Sequence, residues 1–478
     1  MASKLSILTI SLSLCVFGAT ASTSYGQSQY NSNAQTNQRI DYSQHQTNQL
    51  QTPVKKKSAK KKKKLHKPTA AKSVMLSHPI TSICQYNPSR VSIGPYLTKD
   101  DLFDGSELIV NTPSIREASR LLQAQAKLEQ ECSELAAPGP AYPRLTFSGY
   151  LEGQAAYSDP YTGSSVNNIN LTGAELDTYV EASPLIHGFM ALDYDPDDLN
   201  DGSKVFLNRA FILIGNLTQS PFYGEVGQIY VPFGRFSSLF ITAPTTLGLA
   251  RTRTRTVLLG FQQIDDYQFH AEAYAFQGLT NAINKTNTMN EGGVDAGYNF
   301  KTEKASGYLG GSLISDLADS QGLQSAVFLN NETLQHRVPA YDFYGSLSIS
   351  PVTFIAEYVK AMNSFAISDV AYSNQGARPS AYNIEMDFSF HTGSKESAIG
   401  VTYQGSSQAL TVGLPQTRYG VVYTVVIWKD TQLALEYRHD INYGASAATN
   451  IVNPTPANIV SDLGETDNAV TAQFDLYF

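Results

Sequence analysis

The sequence predicts an all-β protein, a transmembrane antiparallel up-and-down β-barrel of about 16 strands. Three observations lead there. Segments of roughly ten residues alternate apolar and polar side chains, the period of a strand with two unlike faces. The connections between them alternate short and long along the chain. The third is an export signal in a chain with no other long apolar run, which leaves a periplasmic, secreted or barrel protein.

Residues 1–21 read as a secretory signal. Lys4 supplies the positive charge, Leu5 to Gly18 the apolar run and Ala19-Thr20-Ala21 the small-residue cleavage site. The run is too short for a membrane anchor, and Leu14 is too large to precede a lipidated Cys15. Removal of the signal leaves Cys84 and Cys132, an even pair expected to form a disulfide in an oxidising compartment. No Cys-x-x-Cys or paired-histidine spacing supports zinc, and no metal or other cofactor is expected.

Residues 22–77 form a polar arm expected to be disordered. Its Lys-rich run extends from Lys55 to Lys67. Residues 1–99 hold 14 Lys and Arg against one acid, Asp41; with −8 for the whole chain, residues 100–478 carry −21. A basic arm on an acidic body reads either as a solvated linker or as an electrostatic tether to cell-wall polymer or lipid headgroups. Nucleic acid is not an expected partner of an exported protein.

Residues 78–143 read as a periplasmic segment with a helix at 113–135. Thr112 is a candidate N-cap and Pro113 suits the first turn. Ala118, Leu121, Gln125, Leu128, Cys132 and Leu135 recur at spacings of three and four, and Pro138-Gly139-Pro140 stops the pattern. This seam fits a helix packed on its neighbouring loop and pinned by Cys84–Cys132. It fits equally a short coiled coil that makes a homo-oligomer.

The barrel is expected at 144–478, in sixteen segments: 144–157, 172–182, 185–195, 205–215, 222–232, 252–262, 266–276, 291–301, 305–314, 341–350, 352–361, 381–390, 396–404, 417–428, 431–440 and 468–478. In 381–390, Tyr382, Ile384, Met386, Phe388 and Phe390 oppose Asn383, Glu385, Asp387 and Ser389. Connections after even-numbered segments are short, as at Ser183-Pro184, Pro351 and Lys429-Asp430, and those after odd ones reach about 26 residues at 315–340. A soluble sandwich has no reason for that alternation. An even strand number puts both chain ends on the periplasmic side, with outer-membrane lipid around the wall. The last segment sets Val470, Ala472, Phe474, Leu476 and Phe478 against Thr471, Gln473, Asp475 and Tyr477. Phe478 is the expected assembly signal, addressed to the barrel assembly machinery.

No catalytic motif occurs: there is no Gly-x-Ser-x-Gly, His-Glu-x-x-His or phosphate loop, and enzyme activity is not expected. His187 and His270 read as wall residues. The distinctive stretch is 222–262, where Arg235 and the alternating Arg251, Arg253 and Arg255 flank an apolar loop at 232–251 expected to fold into the pore. Arginine on a lipid face costs about 2–4 kcal/mol at midplane, so these side chains are expected in the lumen or at its mouth. Val257, Leu259 and Phe261 share their parity, which then requires a bulge or a strand starting near Arg255. The expected constriction comprises Arg235, Arg251, Arg253 and Arg255 with the carboxylates Glu152, Glu272, Glu385 and Asp387. The arginines either hold an anionic solute in transit or neutralise lumen acids such as Glu152, Glu225 and Glu272.

Asn208-Arg209-Ala210-Phe211-Ile212, Gly227-Gln228 and Val231-Pro232-Phe233-Gly234 resemble the phosphate-selective-porin type of barrel. The wider layout adds the Lys-rich arm, Phe103-Asp104-Gly105-Ser106-Glu107-Leu108-Ile109-Val110-Asn111, the short helix and Ser148-Gly149-Tyr150-Leu151-Glu152-Gly153-Gln154. Over about 75–478 this layout resembles the siderophore-porin family of the legiobactin-receptor type. The resemblance implies an outer-membrane barrel that takes up a ferric siderophore without an internal plug domain. Residue composition leaves two rivals open, a general or anion-selective porin and a structural or adhesive outer-membrane protein tethered to the cell wall.

Overall fold

The computed structural model describes residues 91–94, 115–134, 139–194, 205–264, 267–282, 289–328, 333–448 and 463–478. The signal, the arm with Lys55–Lys67, Thr112, Pro113 and Cys84 lie outside them.

Sixteen strands form the wall: β1 (Arg144–Asp159), β2 (Val166–Glu181), β3 (Ile186–Tyr194), β4 (Val205–Gly215), β5 (Phe222–Tyr230), β6 (Arg253–Gln262), β7 (Tyr267–Phe276), β8 (Glu291–Lys301), β9 (Ser306–Ile314), β10 (Ala340–Ile349), β11 (Val352–Ala361), β12 (Ser380–Thr392), β13 (Lys395–Ser407), β14 (Thr417–Trp428), β15 (Thr431–Ile441) and β16 (Thr466–Tyr477). Each pairs antiparallel with its neighbours in sequence, and β16 pairs with β1, setting Asp475 opposite Glu152 and Tyr477 opposite Tyr150. The sheet therefore closes on itself and leaves no long edge. The largest departure from the expected bounds is β2, which starts at Val166 and not at 172. Its first six residues are all exposed, so this end of the β1–β2 hairpin has neither face covered and lacks the alternation that marks the rest.

The two faces follow the period-2 pattern. Leu176, Ile212, Leu259, Ile384, Met386, Val421, Leu435, Phe474 and Leu476 are exposed on the outer face. Aromatic rings gather near the two rims. Phe222–Phe261 and Tyr267–Tyr298 lie at the short-turn ends, Tyr341–Tyr358 and Tyr382–Tyr403–Tyr419 at the long-loop ends. An apolar band between aromatic girdles is the surface a barrel presents to lipid.

The seam is finished by a second device. β1 runs past the end of β16, and a three-residue strand, Val91–Ile93, pairs parallel with its Leu145–Phe147. Gly94 N then donates to Phe147 O at 2.7 Å. Between these two partners, Phe478 exchanges two backbone hydrogen bonds with Gly149, of 2.9 and 3.0 Å.

Candidate functional site

The lumen is the site, and much of it is filled. The helix α1 (Glu117–Glu134) was placed by its sequence in a periplasmic segment; its contacts instead put it inside the wall. Ile115, just before it, bridges to Tyr230 at the long-loop end of β5. Glu129, near its other end, accepts from Asn216 and Thr218 in a short turn. Its 18 residues rise about 27 Å, close to the roughly 30 Å hydrocarbon depth of a bilayer. The family resemblance implies no internal plug domain; the lumen is nevertheless occupied, by this one helix of 18 residues.

The local sequence explains the docking. Ala118, Leu121, Leu122 and Ala126 join one apolar cluster with Tyr179, Phe189, Phe211, Leu213 and Tyr223 of the inner wall. Gln125 and Cys132 of the expected seam are also buried, so this face is spent within the chain and not on a coiled coil. Arg116 takes φ 58°, and the helix starts at Glu117, later than the expected 113. That turn aims two charges at opposite sets of partners. Arg116 donates to Glu272 at 2.9 Å and Gln262 at 2.8 Å, with Asp295 at 3.9 Å. Glu117 accepts from Arg209 at 2.9 Å, and Arg209 also pairs with Glu175. All these ionic side chains are almost fully buried, so each needs its partners to offset its desolvation. Cys132 is fully buried and disulfide-bonded; Cys84, its expected partner, lies outside the described residues.

The connection from β5 to β6 folds inward, as its apolar sequence predicts. Val231, Phe233, Phe236, Leu239 and Phe240 are buried, and α2 (Thr245–Ala250) lies within it. Gly234 takes φ 83°, and a Cβ there would meet the Phe236 ring at 2.3 Å, which accounts for glycine in Pro232-Phe233-Gly234. The segment carries no acid, and lumen carboxylates satisfy its backbone donors. Glu357 accepts from Arg235 N (2.6 Å), Phe236 N (3.0 Å) and Thr246 Oγ1 (2.7 Å). Glu385 accepts from Leu239 N (2.6 Å) and Ser238 Oγ (2.7 Å). Glu436 accepts from Thr242 N at 3.0 Å, and Arg418 donates to Ala243 O at 3.2 Å. Charged acceptors make the stronger class of hydrogen bond, so these acids work as anchors of the loop.

The expected arginine cluster does not assemble. The β6 pairings with β5 and β7 run without a bulge, so parity decides each position. Thr254, Thr256 and Leu258 are buried, while Arg255 is exposed on the face of Val257 and Leu259. Arg253, the first strand residue, donates to Asn208 at 2.8 Å and stacks on Phe206. Arg251 donates to Gln321 at 2.8 Å and covers the Tyr230 ring. Arg235 is buried over Tyr308, its carbon 4.4 Å from the ring centroid. Four arginines thus have four separate settings. Among the acids, Glu272 holds Arg116, Glu385 anchors the loop, Asp387 is buried beside it on the inner face of β12, and Glu152 is half-buried and accepts from Thr172 at 2.6 Å. His187 and His270 are buried wall residues bonded to Tyr179 and Tyr344.

The residues that sequence reasoning missed are Arg116, Glu117 and Arg209. One signal was available. Ala210-Phe211-Ile212-Leu213-Ile214 is apolar at every position, the mark of a strand covered on both faces. Something apolar had to lie inside it. Polar side chains with remaining solvent contact line the seam side of the lumen: Glu152 and Gln154 of β1, Thr471 of β16 and Arg438 of β15. Arg438 pairs there with Asp467 at 2.9 Å and Asp440 at 3.3 Å.

A closed antiparallel wall, an apolar outer band between aromatic girdles and a lumen lined by charge define a sixteen-stranded barrel of the outer-membrane type. The chain belongs to the UPF0422 family. It is 54% identical to the UPF0422 protein of Coxiella burnetii (strain RSA 493 / Nine Mile phase I) over 479 residues, all of both chains. It is 34% identical to UPF0422 protein lpl2888 of Legionella pneumophila (strain Lens) over 406 residues, 80% of this chain and 76% of that one. No family profile matches. Among solved structures, the outer-membrane channel DcaP of Acinetobacter baumannii aligns with TM-score 0.46 and 11% identity, covering 70% of this chain and 97% of that one. The anion-selective porin of Comamonas acidovorans gives TM-score 0.46 and 11% identity over 70% and 100%. At that distance these two add nothing to the strand count and register described above.

Proposed function

We propose that this barrel sits in the outer membrane, arm toward the periplasm, and admits a small solute through a lumen gated by α1. The observation that carries the reading is the crossed pair of ion pairs, Arg116–Glu272 and Glu117–Arg209, at the first turn of a helix that runs the depth of the lumen. Such contacts are specific and can be released, because water replaces both partners together when the helix withdraws. A gate suits a scarce and bulky cargo better than an always-open pore does. A ferric siderophore, first choice from the family resemblance, is such a cargo, and its iron stays with the siderophore. The test is uptake of iron-loaded siderophore by a deletion strain carrying the wild-type chain or none. Normal uptake without the chain ends the siderophore reading.

A constitutive porin is the second reading, favoured by the half-buried polar row Glu152, Gln154, Thr471 and Arg438. It predicts steady conductance in planar bilayers while α1 stays docked. Anion selectivity loses its support, since Arg253 and Arg255 share no constriction.

A further inference from the structure

Two connections on the long-loop rim and the start of one strand converge on one acidic point. Asp316 precedes the turn Leu317–Asp319 that follows β9, and Glu291 opens β8. Carboxylate oxygens of Glu291, Asp316 and Asp319 all lie within 4.8 Å of one another, and the three residues are 4%, 0% and 1% exposed. Asp316 and Asp319 are each held by one oxygen. Asp316 Oδ1 accepts from Ala318 N (3.1 Å) and Val338 N (3.2 Å). Asp319 Oδ1 accepts from Leu279 N (2.7 Å), Thr280 N (2.9 Å) and Thr280 Oγ1 (3.0 Å). Glu291 Oε1 faces Arg337 at 2.8 Å. Asp316 Oδ2, Asp319 Oδ2 and both oxygens of Glu291 are buried and accept no hydrogen bond. A buried carboxylate oxygen with no donor is costly, and four on one point need more than the single guanidinium of Arg337. Gly278 stands over the same point: a Cβ there would lie 2.6 Å from both Asp319 Oδ2 and Glu291 Oε1. Absence of that carbon keeps the space between the oxygens open.

We propose that Glu291, Asp316 and Asp319 bind a hard divalent cation, calcium by choice of ligand, in the cradle left by Gly278. All-oxygen donors with several carboxylates select calcium or magnesium over softer metals. Calcium is favoured because the carboxylates are already fixed from two different connections, Asp319 from 277–290 and Asp316 and Glu291 from 315–339, an irregular cage that magnesium's strict octahedron tolerates less well. The ion staples the start of the 277–290 connection to the 315–339 connection. The same two segments also pair at Asn281–Ala282 with Thr333–Leu334. Leu317, Leu323 and Phe328 of the second connection are part of the apolar lumen cluster, so the staple holds the roof of the filled lumen.

The experiment is calorimetric titration of calcium into the full-length, chelator-treated barrel in detergent, with thermal unfolding in calcium or EGTA. Wild type is expected to bind one tight calcium and to melt higher with it. Asp319→Asn keeps an oxygen for Leu279 and Thr280 and is expected to weaken binding by more than about tenfold through loss of one ligand charge. Gly278→Ala keeps every charge and is expected to weaken it too, by filling the cradle. Wild type that binds no calcium, or binds it unchanged in both variants, overturns the proposal. Stability that responds to acid and not to calcium would assign the site to a shared proton, which also overturns it.

Discussion

Arg209 of β4 donates through Nη1 to Glu117 Oε1 at 2.9 Å, joining the wall to the first residue of the lumen helix. Around the same guanidinium stand Glu175, Asp177 and Asp193. The two ends of this contact are therefore unequal. Removing Glu117 leaves Arg209 with wall acids to pair; removing Arg209 leaves a group of buried acids without their shared cation.

The first prediction uses that asymmetry. Arg209→Met should cost about 3–5 kcal/mol, the scale of an uncompensated buried charge. Glu117→Gln should cost about 1–3 kcal/mol, the scale of one weakened buried hydrogen bond. Hydrogen exchange over 117–134 reads whether the helix loosens before the wall does. Equal effects of both substitutions would contradict the arrangement.

Loop anchoring gives the second. Glu357→Leu removes acceptors for Arg235 N, Phe236 N and Thr246, and Glu385→Leu does the same for Leu239 N and Ser238. Each should loosen the 231–252 segment and raise single-channel conductance or its noise, while strand content by circular dichroism stays the same. Conductance that matches wild type in both variants would show that the loop is held by its apolar residues alone.

The third separates the two arginine settings. Arg255→Ala lies on the outer face and should leave the reversal potential in a salt gradient unchanged. Arg438→Ala removes a lumen cation that keeps solvent contact and should shift selectivity toward cations, leaving Asp467 and Asp440 less compensated. The reverse result would put Arg255 in the ion path and reopen the register of β6.

Strands and topology were legible in the sequence because each strand solves a local problem. Lipid on one side and polar lumen on the other impose period 2, and turn length reports the side of the membrane. The same rule misled at Arg253 and Arg255, where avoiding the cost of arginine in lipid suggested a bulge. At a rim that cost falls toward about 0–1 kcal/mol, and unbroken parity prevails. What fills the lumen was harder to read, because it depends on contacts between residues far apart in the chain. Arg116 meets Glu272, and Glu117 meets Arg209; neither pair has a local pattern. The apolar inner positions Phe211 and Leu213 were the one trace of the helix left in the wall sequence.

The closing strand carries the last prediction. As expected, Thr471, Gln473 and Asp475 face inward, and Val470, Phe474 and Leu476 are exposed on the outer face. Phe478 adds the final rung, exchanging two backbone hydrogen bonds with Gly149. Gly149 has no room for a side chain, since a Cβ would lie 2.1 Å from Glu175 O and 2.8 Å from the Phe478 ring. The preceding residues of β1, Leu145–Phe147, pair with Val91–Ile93, and those from Tyr150 onward pair with β16, so Phe478 sits between two separate partners of one strand. Two backbone bonds at about 0.5–1.5 kcal/mol each are modest against a closed barrel. Deleting Phe478 should therefore leave a folded barrel stable once made, and act mainly on assembly, where the terminal strand must be captured first. Membrane fractionation should show reduced outer-membrane barrel with the exported chain still in the periplasm. Gly149→Val is the control: it disturbs the same rung from the other side without touching the C-terminus, and it should lower the melting temperature of the assembled barrel. Normal membrane levels after deletion of Phe478 would reduce that residue to an ordinary rung of the wall.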